Sequence, residues 1–294
     1  MKLCISHTTE YSYREPVMDS VNEIRLTPFT NEQQSCYQHA ISVEPNASLF
    51  SYDDYFGNRV HAFSVNKPHR KLTIRTQMTM VTKEAVMPEA GQNGMPPERE
   101  WEMLATDNAI NRFAEYLLPT EYTGITPEVA AFAELPLLGD RSEEAHGVHS
   151  WLAYVAGRIH REFVYDPEAT DVTTIAGEML RRRRGVCQDF AHLMIAACRS
   201  RGVPARYVSG YHFVGDLQGG SADFEQASHA WVEAYVPGTG WCGFDPTNNA
   251  LVGERYVKLG HGRDYKDIVP VKGVYRGTSE AELVVKVDVK KVEE

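Results

Sequence analysis

Residues 183 to 193 read Arg183-Arg184-Gly185-Val186-Cys187-Gln188-Asp189-Phe190-Ala191-His192-Leu193. Gly185 allows a close backbone approach. The pattern after it predicts a helix that begins at Cys187 and places Phe190, Leu193, Met194 and Ala197 on one face. Gly202 ends that helix and Pro204 stands just beyond it. A thiol at a helix start meets the positive end of the macrodipole, which favours the nucleophilic thiolate. Free amides of the first turn can also donate to an oxyanion. Taken alone, a cysteine in such a place is more often a small packing residue.

Two later segments change that balance. His229 opens the strand Ser228-His229-Ala230-Trp231-Val232-Glu233, and Asp245 closes the next one, Gly240-Trp241-Cys242-Gly243-Phe244-Asp245. The turn Pro237-Gly238-Thr239-Gly240 makes these strands antiparallel neighbours. With the turn centred near 238 or 239, His229 lies two or three residues beyond the position opposite Asp245. The two share a sheet edge and, by alternation, a face with Trp231 and Trp241. A base oriented by a carboxylate is what an activated thiol needs. Separately, His229 reads as a satisfied histidine and Asp245 as a turn residue before Pro246. In the order Cys, His, Asp, on a helix and then two strands, they point to nucleophilic catalysis.

Outward from this centre the chain divides. Residues 1 to 84 read as β-structure: Leu3, Ile5, His7, Thr9, Tyr11 and Tyr13 alternate with polar neighbours, as do Leu72, Ile74, Thr76, Met78 and Met80. Gly57-Asn58 marks a tight turn between them. An N-terminal all-β, sandwich-like domain is expected here. Pro88, Gly91, Gly94, Pro96 and Pro97 make residues 85–99 a linker or surface loop. A catalytic domain then occupies 100–294. Asp140 and Glu143 fit a capping box, followed by Val148, Leu152, Val155 and Ile159 on one helix face. Strands follow at Arg206 to Phe213, Ser228 to Val236 and Trp241 to Asp245. The tail alternates Leu283, Val285, Val287 and Val289 with lysines and Asp288. The fold class is α+β, with helices packed on an antiparallel sheet.

At these residues a resemblance becomes specific. Residues 177 to 211, with the His229-Ala230-Trp231-Val232-Glu233 and Asp245-Pro246-Thr247 segments, resemble the three core motifs of the transglutaminase-like superfamily. Residues 1 to 84, with Tyr11, Tyr13, Pro16 and Arg25-Leu26-Thr27-Pro28, resemble the N-terminal domain of its bacterial branch. The resemblance implies a papain-like core with Cys187 as nucleophile, His229 as base and Asp245 as orienter. Animal transglutaminases supply an upstream tryptophan to the oxyanion hole, and residues 165–175 hold none. The Cys187 amide is then the first donor expected, with Gln188 and Tyr165 as candidates for the second.

Composition narrows the partners. A net charge of −10 disfavours broad nucleic-acid or anionic-membrane binding, so the expected partner is a peptide or protein amide substrate. Arg181 to Arg184 is read as a solvated helix end. Five cysteines, Cys4, Cys36, Cys187, Cys198 and Cys242, match no disulfide or zinc framework and suggest reduced thiols in the cytoplasm. Cys198 and Cys242 are expected to be inert, and Asp189 and His192 to fix the helix. His212, His229 and His261 form no short metal motif, so neither metal nor cofactor is expected. The leading expectation is a cysteine protease or amidase acting through an acyl-enzyme. Acyl transfer to an amine is the alternative, and a non-catalytic binding module is the reading from another class.

Overall fold

The computed structural model describes residues 1–84, 95–134, 147–215, 228–277 and 280–292. The chain opens with β1 (Lys2–Ile24), β2 (Gln34–Glu44), β3 (Phe50–Asp53), β4 (Arg59–Val65) and β5 (His69–Thr82). Helices α1 (Pro97–Leu104), α2 (Asp107–Arg112), α3 (Ala114–Leu117), α4 (Pro127–Ala133) and α5 (Val148–Glu162) follow. Next come β6 (Val164–Tyr165), α6 (Ala176–Arg182), β7 (Arg184–Gly185) and α7 (Cys187–Ser200). The last strands are β8 (Ala205–His212), β9 (Ser228–Val236), β10 (Gly240–Asp245), β11 (Ala250–Leu251), β12 (Tyr256–Gly262), β13 (Val271–Arg276) and β14 (Ala281–Lys291).

The alternation of residues 3 to 13 is realised: Leu3, Ile5, His7 and Thr9 point inward and are buried. β1 pairs with β5 first and, past irregularities after Ser12 and Met18, with β4 and β13. Such irregularities bend a strand, so the sandwich-like layers are two halves of one curled antiparallel sheet, β2-β5-β1-β4-β3. Gly57 sits in the β3–β4 turn at φ +80°, a conformation that favours glycine.

The tail strand departs from expectation. Placed with residues 100–294 by sequence, β14 instead pairs along β1 from Leu3↔Lys291 to Tyr13↔Ala281. Alternation predicts a strand but carries no information about its partner. Within the expected linker, residues 97–99 open α1, with Pro97 at a position where its missing N–H costs nothing. Most of that linker, the Asp140–Glu143 capping box and residues 216–227 lie outside the described residues.

The second half is organised around α7. Phe190, Leu193, Met194 and Ala197 are buried, as their spacing requires, and α5 buries Val148, Leu152, Val155 and Ile159 against the same core. Fully burying each large side chain contributes about 1.5–3 kcal/mol, so this face holds α7 firmly in place. The first amide of α5, at Val148, donates to Glu100 Oε2 at 2.7 Å. Helix α7 packs on the antiparallel sheet β11-β10-β9-β8-β12.

The halves share a seam. Tyr211, Phe213, Val257 and Leu259 join the core built by β1 and β5. Two side-chain amides stand in for a strand along β12. Gln34 bonds the Lys258 carbonyl and amide at 2.9 and 2.8 Å, and Asn58 bonds those of His261 at 2.8 and 2.9 Å.

Candidate active site

Cys187 is the first residue of α7 and half-buried against the helical core. The turn before it is closed by Asp189, whose Oδ2 accepts the Val186 amide at 2.9 Å and the Thr170 hydroxyl at 2.7 Å. A Cβ at position 185 would lie 2.7 Å from that oxygen, so Gly185 is what lets Asp189 fold back over the helix start. Burial raises the pKa of the Asp189 carboxyl. His192 is fully buried, its pKa lowered to about 3 by burial and Arg199, and its Nε2 accepts the Tyr265 amide at 3.1 Å. Both residues fix the helix.

The β9–β10 register runs from Gly240↔Val236 to Phe244↔Val232. Continued by one step, it sets Asp245 across from Trp231, and His229 lies one same-face position further on. The side chains close that gap: His229 Nε2 lies 2.8 Å from Asp245 Oδ2. His229 also pairs with Gly210 of β8. A Cβ on Gly210 would fall 2.4 Å from the Trp231 ring, and that ring stacks 6.3 Å from His229. Gly210 therefore makes room for the aromatic support of the imidazole.

Asp245 is completely buried, where a bare carboxylate would be costly. Five donors answer that cost. Oδ2 accepts from His229, from Asn248 Nδ2 at 2.7 Å and from the Tyr256 hydroxyl at 2.8 Å. Oδ1 accepts the amides of Thr247 at 2.9 Å and Asn248 at 3.2 Å. Burial pushes the Asp245 pKa up, but the His229 charge and these hydrogen bonds win and hold it at about 2. Burial likewise pushes His229 down. Asp245 outweighs it, joined by a hydrogen bond and charge from Cys187, and the imidazole is raised to about 10. The imidazolium is thus stabilised by the carboxylate and, to a smaller extent, by the Cys187 side chain. Of the three residues singled out in the sequence, the structure brings His229 and Asp245 into direct contact and sets Cys187 at the start of α7.

The other sequence candidates are placed less decisively. Gln188 Nε2 bonds the Val172 carbonyl at 3.1 Å. Tyr165, on β6, pairs with Gly185 in a short parallel ladder and meets Phe190 edge-on at 6.3 Å. Arg182, Arg183 and Arg184 pair with Glu178, Glu162 and Asp166 on the surface. Cys198 is fully buried, and burial pushes its thiol pKa well up. Cys242 faces away from Asp245 and is held at about 11 by burial and Glu233.

Sequence reasoning missed Asn248 and Tyr256, and it set His212 aside for want of a short metal motif. Asn248 had a signal, because an aspartate commonly accepts amides two or three residues onward. Tyr256 had none: it enters from β12, at the far side of β8. His212, beside Tyr256, lies on the ring at 4.4 Å and 5.4 Å from His229. Burial, with His229 and Arg255 nearby, lowers its pKa to about 4, so it is a neutral imidazole. One ligand atom each from His212, His229 and Asp245 lies within 4.8 Å of the others, a grouping that the spacing in sequence did not suggest.

This arrangement can be set beside known proteins. Residues 3–81 match a bacterial transglutaminase-like N-terminal region, and residues 138–246 match the transglutaminase-like superfamily. An uncharacterized protein of Mycobacterium leprae is 36% identical over 289 residues, 98% of each chain. The chain belongs to the transglutaminase-like superfamily. A crystal structure from Cytophaga hutchinsonii, described as a "Putative Cysteine Protease", superposes with a TM-score of 0.73 over 100% of this chain and 92% of its own. At 23% identity that likeness is one of fold. A protein-glutamine gamma-glutamyltransferase of Pseudomonas aeruginosa is 32% identical over 122 residues, 37% of this chain and 17% of that protein. No helix among the described residues is long and apolar enough to cross a membrane.

Proposed function

We propose that this superfamily member is a cysteine-dependent amide hydrolase, with Cys187 as nucleophile, His229 as acid and base, and Asp245 as orienter. The observation that carries this reading is the His229–Asp245 contact of 2.8 Å at a fully buried carboxylate, with the Cys187 thiol among the groups that raise the imidazole pKa. The Cys187 thiolate attacks the amide carbonyl carbon, and the negative charge passes to oxygen. The C–N bond then breaks as His229 gives its proton to the leaving amine, which leaves a thioester. His229 next takes a proton from water, the hydroxide adds to the thioester, and the thiolate departs with the acid as product.

The amide of Cys187, at the helix start, is the first oxyanion donor in this proposal. Gln188 and Tyr165 compete for the second place. The Val172 carbonyl uses only one of the two Nε2 hydrogens of Gln188, and Tyr165 lies beside Gly185. The substrate class is a peptide or protein amide. Five unpaired cysteines support a reducing, cytoplasmic setting.

Acyl transfer to an amine is the second reading, favoured by the likeness to the Pseudomonas aeruginosa enzyme. Both reactions share acylation. They part when water or an amine meets the thioester, and transfer requires that water be kept out. Hydrolysis needs only access, which makes it the simpler expectation. A thioester or glutamine-containing donor, offered with a labelled primary amine, separates the two. Hydrolysis should exceed amine incorporation at millimolar amine. The reverse, abolished in Cys187→Ala, replaces hydrolase by transferase.

A further inference from the structure

We propose that His212, His229 and Asp245 form a reversible, inhibitory site for a zinc-type divalent ion. The binding stands on geometry alone; only its inhibitory consequence rests on the amide-cleaving reading above.

The donor set is two imidazole nitrogens and one carboxylate oxygen, each within 4.8 Å of the others. Zinc takes such mixed nitrogen and oxygen ligands, three from protein with a fourth position left for water. Calcium and magnesium prefer oxygen throughout, and the set excludes them on that ground. Ligand atoms around a tetrahedral zinc stand roughly 3.3 Å apart, given bonds near 2.0 Å. His229 and Asp245 already meet at 2.8 Å. Closure therefore falls mainly to His212, by a shift of at most about 1.5 Å.

His212 is available for this. Among the described residues its contacts are with rings, Tyr256 at 4.4 Å and His229 at 5.4 Å, rather than with a hydrogen-bonding partner. The stack on Tyr256, nearly parallel at 18°, fixes the plane of its ring. On the carboxylate, Tyr256 and Asn248 Nδ2 donate to Oδ2 and hold it in place, the kind of outer hydrogen bond that orients a metal ligand. A cavity of about 430 Å³ reaches His212, Asn248 and Tyr256, so His212 is the ligand that stands at its wall, while His229 and Asp245 lie behind it.

Binding replaces the hydrogen shared by His229 Nε2 and Asp245 Oδ2. The Nε2–H bond breaks, a nitrogen–metal bond forms from the same electron pair, and one proton goes to solvent per ion bound. No electron is transferred. His229 keeps its other ring hydrogen but can no longer turn or cycle that proton. Turnover stops until the ion leaves.

A site of this kind differs from direct capture of the ion by the thiol, and the experiment is built on that difference. Zinc is titrated into Cys187→Ala by calorimetry. One ion per chain is expected, and His212→Gln in the same background should weaken binding by at least about tenfold. Loss of binding in Cys187→Ala overturns the proposal, because the ion then sits on the thiol. Unchanged affinity in His212→Gln overturns it equally. Should His212→Gln fail to fold, the unmutated protein still decides through cobalt(II). Visible ligand-field bands without a near-ultraviolet thiolate charge-transfer band are expected, and that band, if present, sinks the idea. With a small acyl substrate, zinc should stop turnover, a chelator should restore it, and His212→Gln should need about tenfold more zinc. These binding results hold or fail whether or not amide cleavage is the activity.

Discussion

Two clusters of buried charge lie on one face of β9 and differ in almost everything that matters for chemistry. At one end His229 meets Asp245. Four residues along, Glu233 takes Arg206 at 2.6 Å and Lys258 at 2.6 Å, with His261 Nε2 3.1 Å from Arg206. Both clusters titrate far from ordinary values. Burial lowers Lys258 to about 8, against the pull of Glu233, and lowers His261 to about 2. The Glu233 cluster is ringed by aromatics and keeps a little more contact with solvent than the His229 pair does: Trp241 covers the Arg206 guanidinium at 4.1 Å and Phe29 stands 5.6 Å from the Lys258 ammonium. It joins the two halves of the molecule through β12. The His229 cluster instead has a thiol among the groups that raise its imidazole, and His212, Asn248 and Tyr256 around it line a cavity. A perturbed pKa follows from burial and charge wherever they occur. What sets the His229 cluster apart is the thiol beside it, the group that the proposed chemistry needs and the Glu233 cluster lacks.

The sharpest test of that contrast is Cys187→Ala. Turnover of an acyl substrate should fall by about 10⁴-fold or more, with the melting temperature nearly unchanged. Activity surviving that substitution would remove the site from the chemistry altogether.

Asp245→Asn should reduce kcat by about 10³–10⁴-fold, because the amide cannot hold an imidazolium. NMR titration of His229 provides the second reading. In the wild type the ring stays cationic to about 10 against an ordinary 6.5, so its stabilising contribution is complete below 6.5 and fades as pH rises through 10. Asp245, held at about 2 against 3.8, contributes above 3.8 and loses that contribution as pH falls through 2. The asparagine variant should bring the His229 titration down sharply. If it stays near 10, Asp245 is not the group that sustains it.

Glu233→Gln should act in the opposite sense. Arg206 and Lys258 lose their counter-charge inside the protein, which costs about 3–5 kcal/mol of stability by denaturant melt. Turnover per folded molecule should stay within about threefold. A large loss of turnover with intact stability would mean that the two clusters are not functionally separate.

The smallest effect is expected at Tyr256→Phe. One of five donors to Asp245 disappears, worth about 1.5 kcal/mol, or about tenfold in kcat. The remaining four should keep the carboxylate ionised, so the His229 titration should move less than in Asp245→Asn.

The sequence by itself determined the helix at Cys187, the buried faces of α5 and α7, and the β9–β10 hairpin that brings Asp245 near His229. Each is a local matter: apolar period, stop signals and turn length act over a few residues and leave a readable pattern. Even Gly185 was legible as a close approach, although what approaches, the Asp189 carboxylate, was not. Tertiary structure alone decided the partners. It placed the tail strand along β1, set Glu100 on the α5 amide, and carried Tyr256 and His212 from β12 and β8 to the Asp245 end of the sheet. The physical reason is that a hydrogen bond between residues far apart in the chain is fixed by how layers pack, and packing leaves no periodic trace at either residue.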